Sequence, residues 1–227
     1  MILSLDGLRV VEIANEISGP YCGKLFVDIG ADVTKIEGPE GDSLRQWGPF
    51  PGGEPDPDRS GLFEYLNVGK RAAGLDGARG LIADADVLID GLAPGSLENT
   101  GLGVEALQEI NPRLVVARIS NFGQHRLFRD RVATPLTLQA ASGWITPRDP
   151  DRPPVQAGAR IAEYVAGGYA ALGALTALRT ASHHRVTEVD VSVFESLLST
   201  LPYPMLQAER MRALGLPSNI RQAPMLG

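Results

Sequence analysis

The sequence predicts an α/β protein built on a doubly wound, mostly parallel sheet. Three observations carry that expectation. Short β-branched runs recur along the chain, helical patterns lie between them, and the first strand, helix and next strand follow one another closely. Strands that alternate with helices in this way are joined by right-handed crossovers and pair in parallel.

The first run is Leu8-Arg9-Val10-Val11-Glu12-Ile13, which follows the Asp6-Gly7 turn signal and reads as a strand. Ser18-Gly19-Pro20 reads as a helix start, with a small cap residue and proline near the first helical position, and that helix runs to about Gly30. Ala31 to Glu37 is the second strand. Residues 38–66 hold Gly38-Pro39-Glu40-Gly41-Asp42 and the prolines from Pro49 to Pro57, a turn-rich excursion with a short helix around Phe63. Long ordered loops in compact domains are usually functional. A short strand at Ala72–Leu75, a helix over 77–84 and a strand at Asp86–Asp90 come next. A helix at Val104–Ile110 then precedes the strand Leu114–Ile119. Residues 121–157, with prolines clustered at 147–154, read as irregular. Ala159 to Leu178 reads as a buried helix whose glycines allow close packing. In the following segment Glu188, Asp190 and Ser192 alternate with Val189, Val191 and Val193, the pattern of a strand with one polar face. Phe194 to Leu214 has helical periodicity interrupted by Pro202 and Pro204.

Composition narrows the function classes. A 227-residue chain with 44% hydrophobic and 21% charged residues falls in the ordinary range for a globular protein. The net charge of -6, with no basic stripe, argues against nucleic acid as a partner, and no uninterrupted apolar run of membrane length suggests a spanning helix. The start, Met1 to Asp6, lacks the basic and apolar regions of a secretory signal. The single cysteine, Cys22, has no internal disulfide partner. The expected location is the cytoplasm.

Several chemistries are excluded by missing motifs. The connection Ala14-Asn15-Glu16-Ile17-Ser18-Gly19-Pro20 joins a strand to a helix N-terminus, where phosphates often bind, but it lacks the G-x-G-x-x-G of dinucleotide sites. There is no P-loop and no G-x-S-x-G elbow. His125, His183 and His184 have no metal-ligand spacing, and His183-His184 read as an exposed turn, so no metal site is expected. Lys70-Arg71 could offer two cations to a phosphate or simply form a solvated loop. Glu163 is the one carboxylate entering an apolar, glycine-rich helix, a position that suits either a helix cap or a cleft wall. Cys22 reads as a small core residue.

A resemblance carries the reading further. Leu5-Asp6-Gly7-Leu8-Arg9-Val10-Val11-Glu12, Gly19-Pro20, and Gly30 to Glu37 with Gly41-Asp42 and Arg45 resemble the start of family III CoA-transferases. The likeness continues through Asn67 to Arg71, Leu75-Asp76, Ala85 to Asp90, Pro94-Gly95, Asn111 to Val115, Phe122-Gly123-Gln124, Gln139 to Gly143 and Asp190-Val191-Ser192. It implies a Rossmann-like large domain, usually found in an interlocked homodimer, that binds coenzyme A. It also implies acyl-CoA and a small carboxylic acid as substrates, with no tightly bound cofactor. In the family an aspartate attacks the thioester to give a mixed anhydride and then an enzyme-bound CoA thioester. The matching position is Glu163, which the resemblance makes the nucleophile. It places CoA-binding positions at Asn15, Glu16, Ile17 and Ser18, where relatives carry a glutamine, and at Gly38, where they often carry an arginine. Further binding positions fall at Lys70, Arg71, Leu75 and Arg79, and at Gly91-Leu92, where Asn-Phe is common. Thr134 and Pro135 stand where racemase relatives carry a catalytic His-Asp pair, which disfavours racemisation.

The family has a second, small domain and a glycine-rich loop that closes over the site. Residues 1–227 correspond to the large domain alone, ending where a linker at Gln222 to Gly227 would begin. The expectation is therefore a CoA-transferase acting as a homodimer or with a partner chain that supplies the C-terminal half. The alternative is a non-catalytic CoA-binding or structural subunit that needs a partner chain.

Overall fold

The computed structural model describes residues 4–125, 127–145, 153, 155–180, 184–201 and 210–215. Its centre is one six-stranded sheet in the order β3-β2-β1-β4-β5-β6, parallel throughout. The strands are β1 (Arg9–Ala14), β2 (Asp32–Glu37), β3 (Arg71–Gly74), β4 (Val87–Gly91), β5 (Val115–Ser120) and β6 (Thr187–Ser192). Each matches an expected strand to within a residue or two. The expected doubly wound α/β class is the observed one.

Eight α-helices are described: α1 (Ser18–Asp28), α2 (Gly61–Asn67), α3 (Ala78–Ala83), α4 (Ser96–Asn99), α5 (Val104–Ile110), α6 (Pro135–Ala141), α7 (Ile161–Thr180) and α8 (Val193–Ser199). The strands' alternating side chains divide the interior in two. Val10, Val33, Ile89 and Ala117 meet Phe26 of α1 and the alanines of α7 on one face. Val11, Ile36, Leu88 and Val116 meet Ile82 of α3 and Leu107 of α5 on the other. Strand β5, flanked by β4 and β6, is buried along its whole length, as a parallel strand covered on both faces must be.

Helix α7 deserves its glycines. A Cβ on Gly167 would lie 2.5 Å from the Ser18 carbonyl oxygen, so only glycine lets α7 approach the start of α1 this closely. By length and composition α7 could cross a membrane, contrary to the expectation of no such segment. It is here a core helix, with Ala162, Ala166, Ala170 and Ala174 fully buried.

The structure departs from the sequence expectations at several ends. Ser18 is not the cap of α1: Ile17 occupies that position and no side chain accepts from the first turn. Two helices were missed, α4 and α6. The signal for α6 was present, because Thr134 and Thr137 form a reciprocal capping box with Pro135 at the first turn. Thr134 is therefore a helix cap. Of the interrupted helical pattern expected over 194–214, the described residues show α8, which ends at Ser199, and a helical stretch at 210–213. Pro147, Pro154, His183, Pro202, Pro204 and residues 222–227 lie outside the described residues.

Candidate active site

In a sheet of this order the direction of winding reverses between β1 and β4. Connections leave in opposite directions there and open a crevice outside the carboxyl ends of the strands. A cavity of about 500 Å³ occupies that place. Asn15–Gly19 follows β1, Gly91–Pro94 follows β4 and Ile119–Asn121 closes β5, and all three segments line it. Arg129–Arg131, Arg160, Glu163 and Val193 complete the wall. Glycine is required twice at its base: a Cβ on Gly19 or Gly91 would stand 2.2 or 2.7 Å from the Ala14 Cβ. The uncapped amino end of α1 faces this space with its free N–H groups and positive dipole end.

Glu163 lies in the first turn of α7, with its side chain 8% exposed. Arg160 Nε donates to its Oε1 at 2.5 Å, and Arg160 Nη2 donates to Glu16 Oε2 at 2.5 Å. Glu163 Oε2 is buried with no hydrogen-bond partner. The site thus presents one tethered and one unengaged carboxylate oxygen beside a cavity rimmed by arginines. A carboxylate so placed can act as nucleophile or as base.

Below the Asn15–Ser18 loop lies a buried charge network. Glu12 is fully buried and accepts from Lys35 Nζ at 2.9 Å and from Lys70 Nζ at 2.7 Å. Lys35 also donates to the Ala14 carbonyl at 2.6 Å and lies 2.9 Å from Asp42 Oδ2. Asp42 Oδ1 accepts from the Glu16 N–H at 3.1 Å and the Leu44 N–H at 2.9 Å, so the network holds the loop from beneath. Burial works to depress the Lys35 pKa, but Glu12 and Asp42 outweigh it and the value is raised. For Lys70 burial wins over Glu12 and the value is lowered. Cys22 sits against the same network, and burial, reinforced by Glu12, pushes its thiol far above the ordinary range. It is a core residue and no nucleophile.

The structure brings Asn15, Glu16, Ile17, Ser18, Gly91, Leu92 and Glu163 to one cavity. Gly38 and Leu75 follow directly on β2 and β3, so they share the carboxyl edge but do not line the cavity. Arg79 is exposed in the first turn of α3, near that edge. The expectation for Lys70 and Arg71 needs correction. Lys70 Nζ spends its protons on Glu12, on the Pro20 carbonyl at 2.8 Å and on Asn67 Oδ1 at 2.9 Å, leaving none for a phosphate. Arg71 opens β3 at the opposite edge of the sheet and pairs there with Asp32. Sequence reasoning missed Arg129, Arg131 and Arg160. Only Arg160 had a signal, its spacing three residues before Glu163.

Asp90 was also missed as a titrating group. It ends the buried stretch of β4 and accepts from the Leu92 N–H at 3.1 Å, bracing the turn that lines the cavity. Burial raises its pKa from 3.8 to about 6, against the opposing effects of that hydrogen bond and of Arg118. The folded state therefore holds this proton more tightly than the unfolded chain. Its contribution to stability is greatest below pH 4 and is lost as the pH rises through about 6. Asp90→Asn should remove that loss and stabilise the protein at pH 7.5 by on the order of 3 kcal/mol. Urea denaturation of both proteins at pH 4.5 and 7.5 checks this, and equal differences at the two pH values would contradict it.

Fold and site together define a doubly wound α/β protein with a carboxylate-bearing crevice at the carboxyl ends of its strands. The chain belongs to CoA-transferase family III, whose model matches residues 5–224. It is 33% identical over 210 residues to the succinyl-CoA–D-citramalate CoA-transferase of Chloroflexus aurantiacus, covering 87% of this chain and 51% of that protein. It is 36% identical over 208 residues to the beta subunit of the succinyl-CoA–L-malate CoA-transferase of the same organism, covering 86% and 50%. A CAIB/BAIF family protein from Brucella suis has a similar structure, with a TM-score of 0.81 and 33% identity over 96% of this chain and 60% of that one. The chain spans about half the length of the curated relatives it matches.

Proposed function

We propose that this chain is the CoA-binding, nucleophile-bearing part of a CoA-transferase that moves CoA from an acyl-CoA to a small carboxylic acid. The observation that carries the proposal is Glu163, with one oxygen held and the other unengaged beside a cavity at the switch point of the sheet. In this reading Glu163 attacks the thioester carbonyl, forms a mixed anhydride and expels CoA thiolate. The thiolate then attacks the Glu163 carbonyl, giving a glutamyl-CoA thioester and releasing the donor acid. The acceptor carboxylate attacks this thioester and expels the thiolate again, which takes the new acyl group and frees Glu163. CoA lies along the carboxyl edge, past Gly38, Leu75 and Arg79, with its thiol end between Asn15–Ser18 and Gly91-Leu92. Arg129 and Arg131 favour an anionic ligand.

The names of the two Chloroflexus relatives, which pair a CoA donor with a hydroxy dicarboxylic acid, support a carboxylate acceptor. The chain works in the cytoplasm, as a homodimer or with a partner chain, without a tightly bound cofactor and without a nucleic-acid or membrane partner. The alternative, a non-catalytic CoA-binding or structural subunit, has one observation in its favour: Arg160 already engages Glu163. Two measurements decide. Calorimetric titration with free CoA should show saturable binding. Mass spectrometry after incubation with an acyl-CoA should show a CoA adduct on the peptide containing Glu163. Binding without the adduct favours the non-catalytic CoA-binding subunit, and no binding by the folded protein overturns the transferase reading and favours the structural subunit.

A further inference from the structure

Among the described residues, the non-glycine residues with left-handed φ are Glu16 (62°), Ala159 (60°) and Arg160 (55°). All three belong to one cluster at the mouth of α7. Such conformations persist only where surrounding structure holds them, and they gather at functional sites. What holds this one is a line of three side chains. Arg160 reaches Glu163 with Nε and Glu16 with Nη2, and its guanidinium rests on the Trp47 ring, 4.9 Å from the centroid. The fork is thus fixed in position by two carboxylates and an aromatic face. Its engagement is one-sided: Oε1 of Glu163 is taken and Oε2 is left without a partner.

We propose that Arg160 is a positioning residue for Glu163, and that Glu16 in turn positions Arg160. Arg160 ties down Oε1, which assigns Oε2 as the attacking oxygen and holds it in one orientation. Glu16 prevents the guanidinium from closing bidentately on Glu163, which would engage both oxygens and leave no nucleophile. The left-handed backbone at 159–160 is what aims Arg160 back along α7 toward both carboxylates. The charged groups facing Glu163 are Arg160 from the segment before α7, Glu16 from the loop after β1, and Arg129, Asp130 and Arg131 across the cavity; the Tyr164 hydroxyl follows on α7 itself. The attacking role rests on the transferase reading above, whereas the fixing of Glu163 by Arg160 does not.

The test uses Arg160→Gln, Arg160→Lys and Glu16→Gln with two readouts. The first is the carbon-13 relaxation order of the Glu163 side chain at fixed pH, assigned by its absence in Glu163→Gln. The second is the rate of CoA-adduct formation from an acyl-CoA. Arg160→Gln should release the Glu163 side chain, lowering its order, and slow adduct formation about a hundredfold. Its loss should fall on the rate rather than on CoA affinity. Arg160→Lys should restore part of the order and less of the rate, since it keeps the charge and loses the fork. Glu16→Gln should slow the adduct while leaving Glu163 ordered, because the freed guanidinium turns onto Glu163. Unchanged order in Arg160→Gln, or adduct formation that Glu16→Gln leaves unchanged, overturns the proposal. If the wild-type protein forms no adduct, the transferase reading fails and the order of the Glu163 side chain alone decides the role of Arg160. If Arg160→Gln does not fold, Glu16→Gln and Arg160→Lys carry the same decision.

Discussion

Glu163→Gln is expected to abolish CoA transfer, with a fall of more than about a thousandfold in turnover. Glutamine keeps the length and shape of the side chain, and its amide oxygen can still accept from Arg160 Nε, so the first turn of α7 should stay in place. What disappears is the anionic oxygen that would open the thioester, and among the described residues no other carboxylate takes its place in the first turn of α7. Glu16 is nearest in the network, but it faces the other end of the Arg160 fork. Circular dichroism should be unchanged, and the CoA adduct should be missing from the peptide containing residue 163. A variant that still forms the adduct would remove Glu163 from the chemistry altogether. Glu163→Asp gives the graded form of the experiment. Withdrawing the carboxylate by one methylene breaks the Arg160 contact and misplaces Oε2, which should slow transfer by about a hundredfold rather than stop it.

Glu12→Gln should have the largest effect on stability, a loss of about 3–5 kcal/mol. Among the described residues, Glu12 is the only anion touching both Lys35 and Lys70, and all three side chains are almost completely buried. A glutamine would present its NH₂ to one ammonium and offer no charge to either, leaving buried cations uncompensated. The fit around this group is equally strict, since a Cβ on Gly23 would fall 2.1 Å from Glu12 Oε2. Chemical denaturation should register the loss, with a melting temperature lower by on the order of 10 °C. CoA binding should weaken as well, because the network continues through Lys35 and Asp42 to the Glu16 N–H. A loss below about 1 kcal/mol would mean that the network does not hold β1, β2 and the Asn15–Ser18 loop together.

The strands and most helices were legible because period-2 and period-3.6 patterns are local properties of the chain. Val10, Val33, Ile89 and Ala117 declare a buried strand wherever they occur. The short α4 carries too little pattern to be read, and α6 was missed although Thr134-Pro135 announces its start. Glu163 was legible for a different reason, as a single carboxylate in an apolar helix at the position where the family carries its nucleophile. Lys70 was misread. A Lys-Arg pair after Gly69 reads as solvated cations, and nothing local reveals that Lys70 is folded inward onto a glutamate 58 residues away while Arg71 pairs with Asp32 on the neighbouring strand.

The sequence by itself determined the alternation of elements, the parallel sheet and the family, and it singled out Glu163 as the proposed reacting carboxylate. Only the tertiary structure decided which charges are buried, which arginine holds Glu163, and that Glu16 shares it. These depend on groups from β1, β2, α2 and the residues before α7 meeting in space. The energy of an ion pair is set by burial and by the distance between its members, neither of which is written in the spacing of residues along a chain.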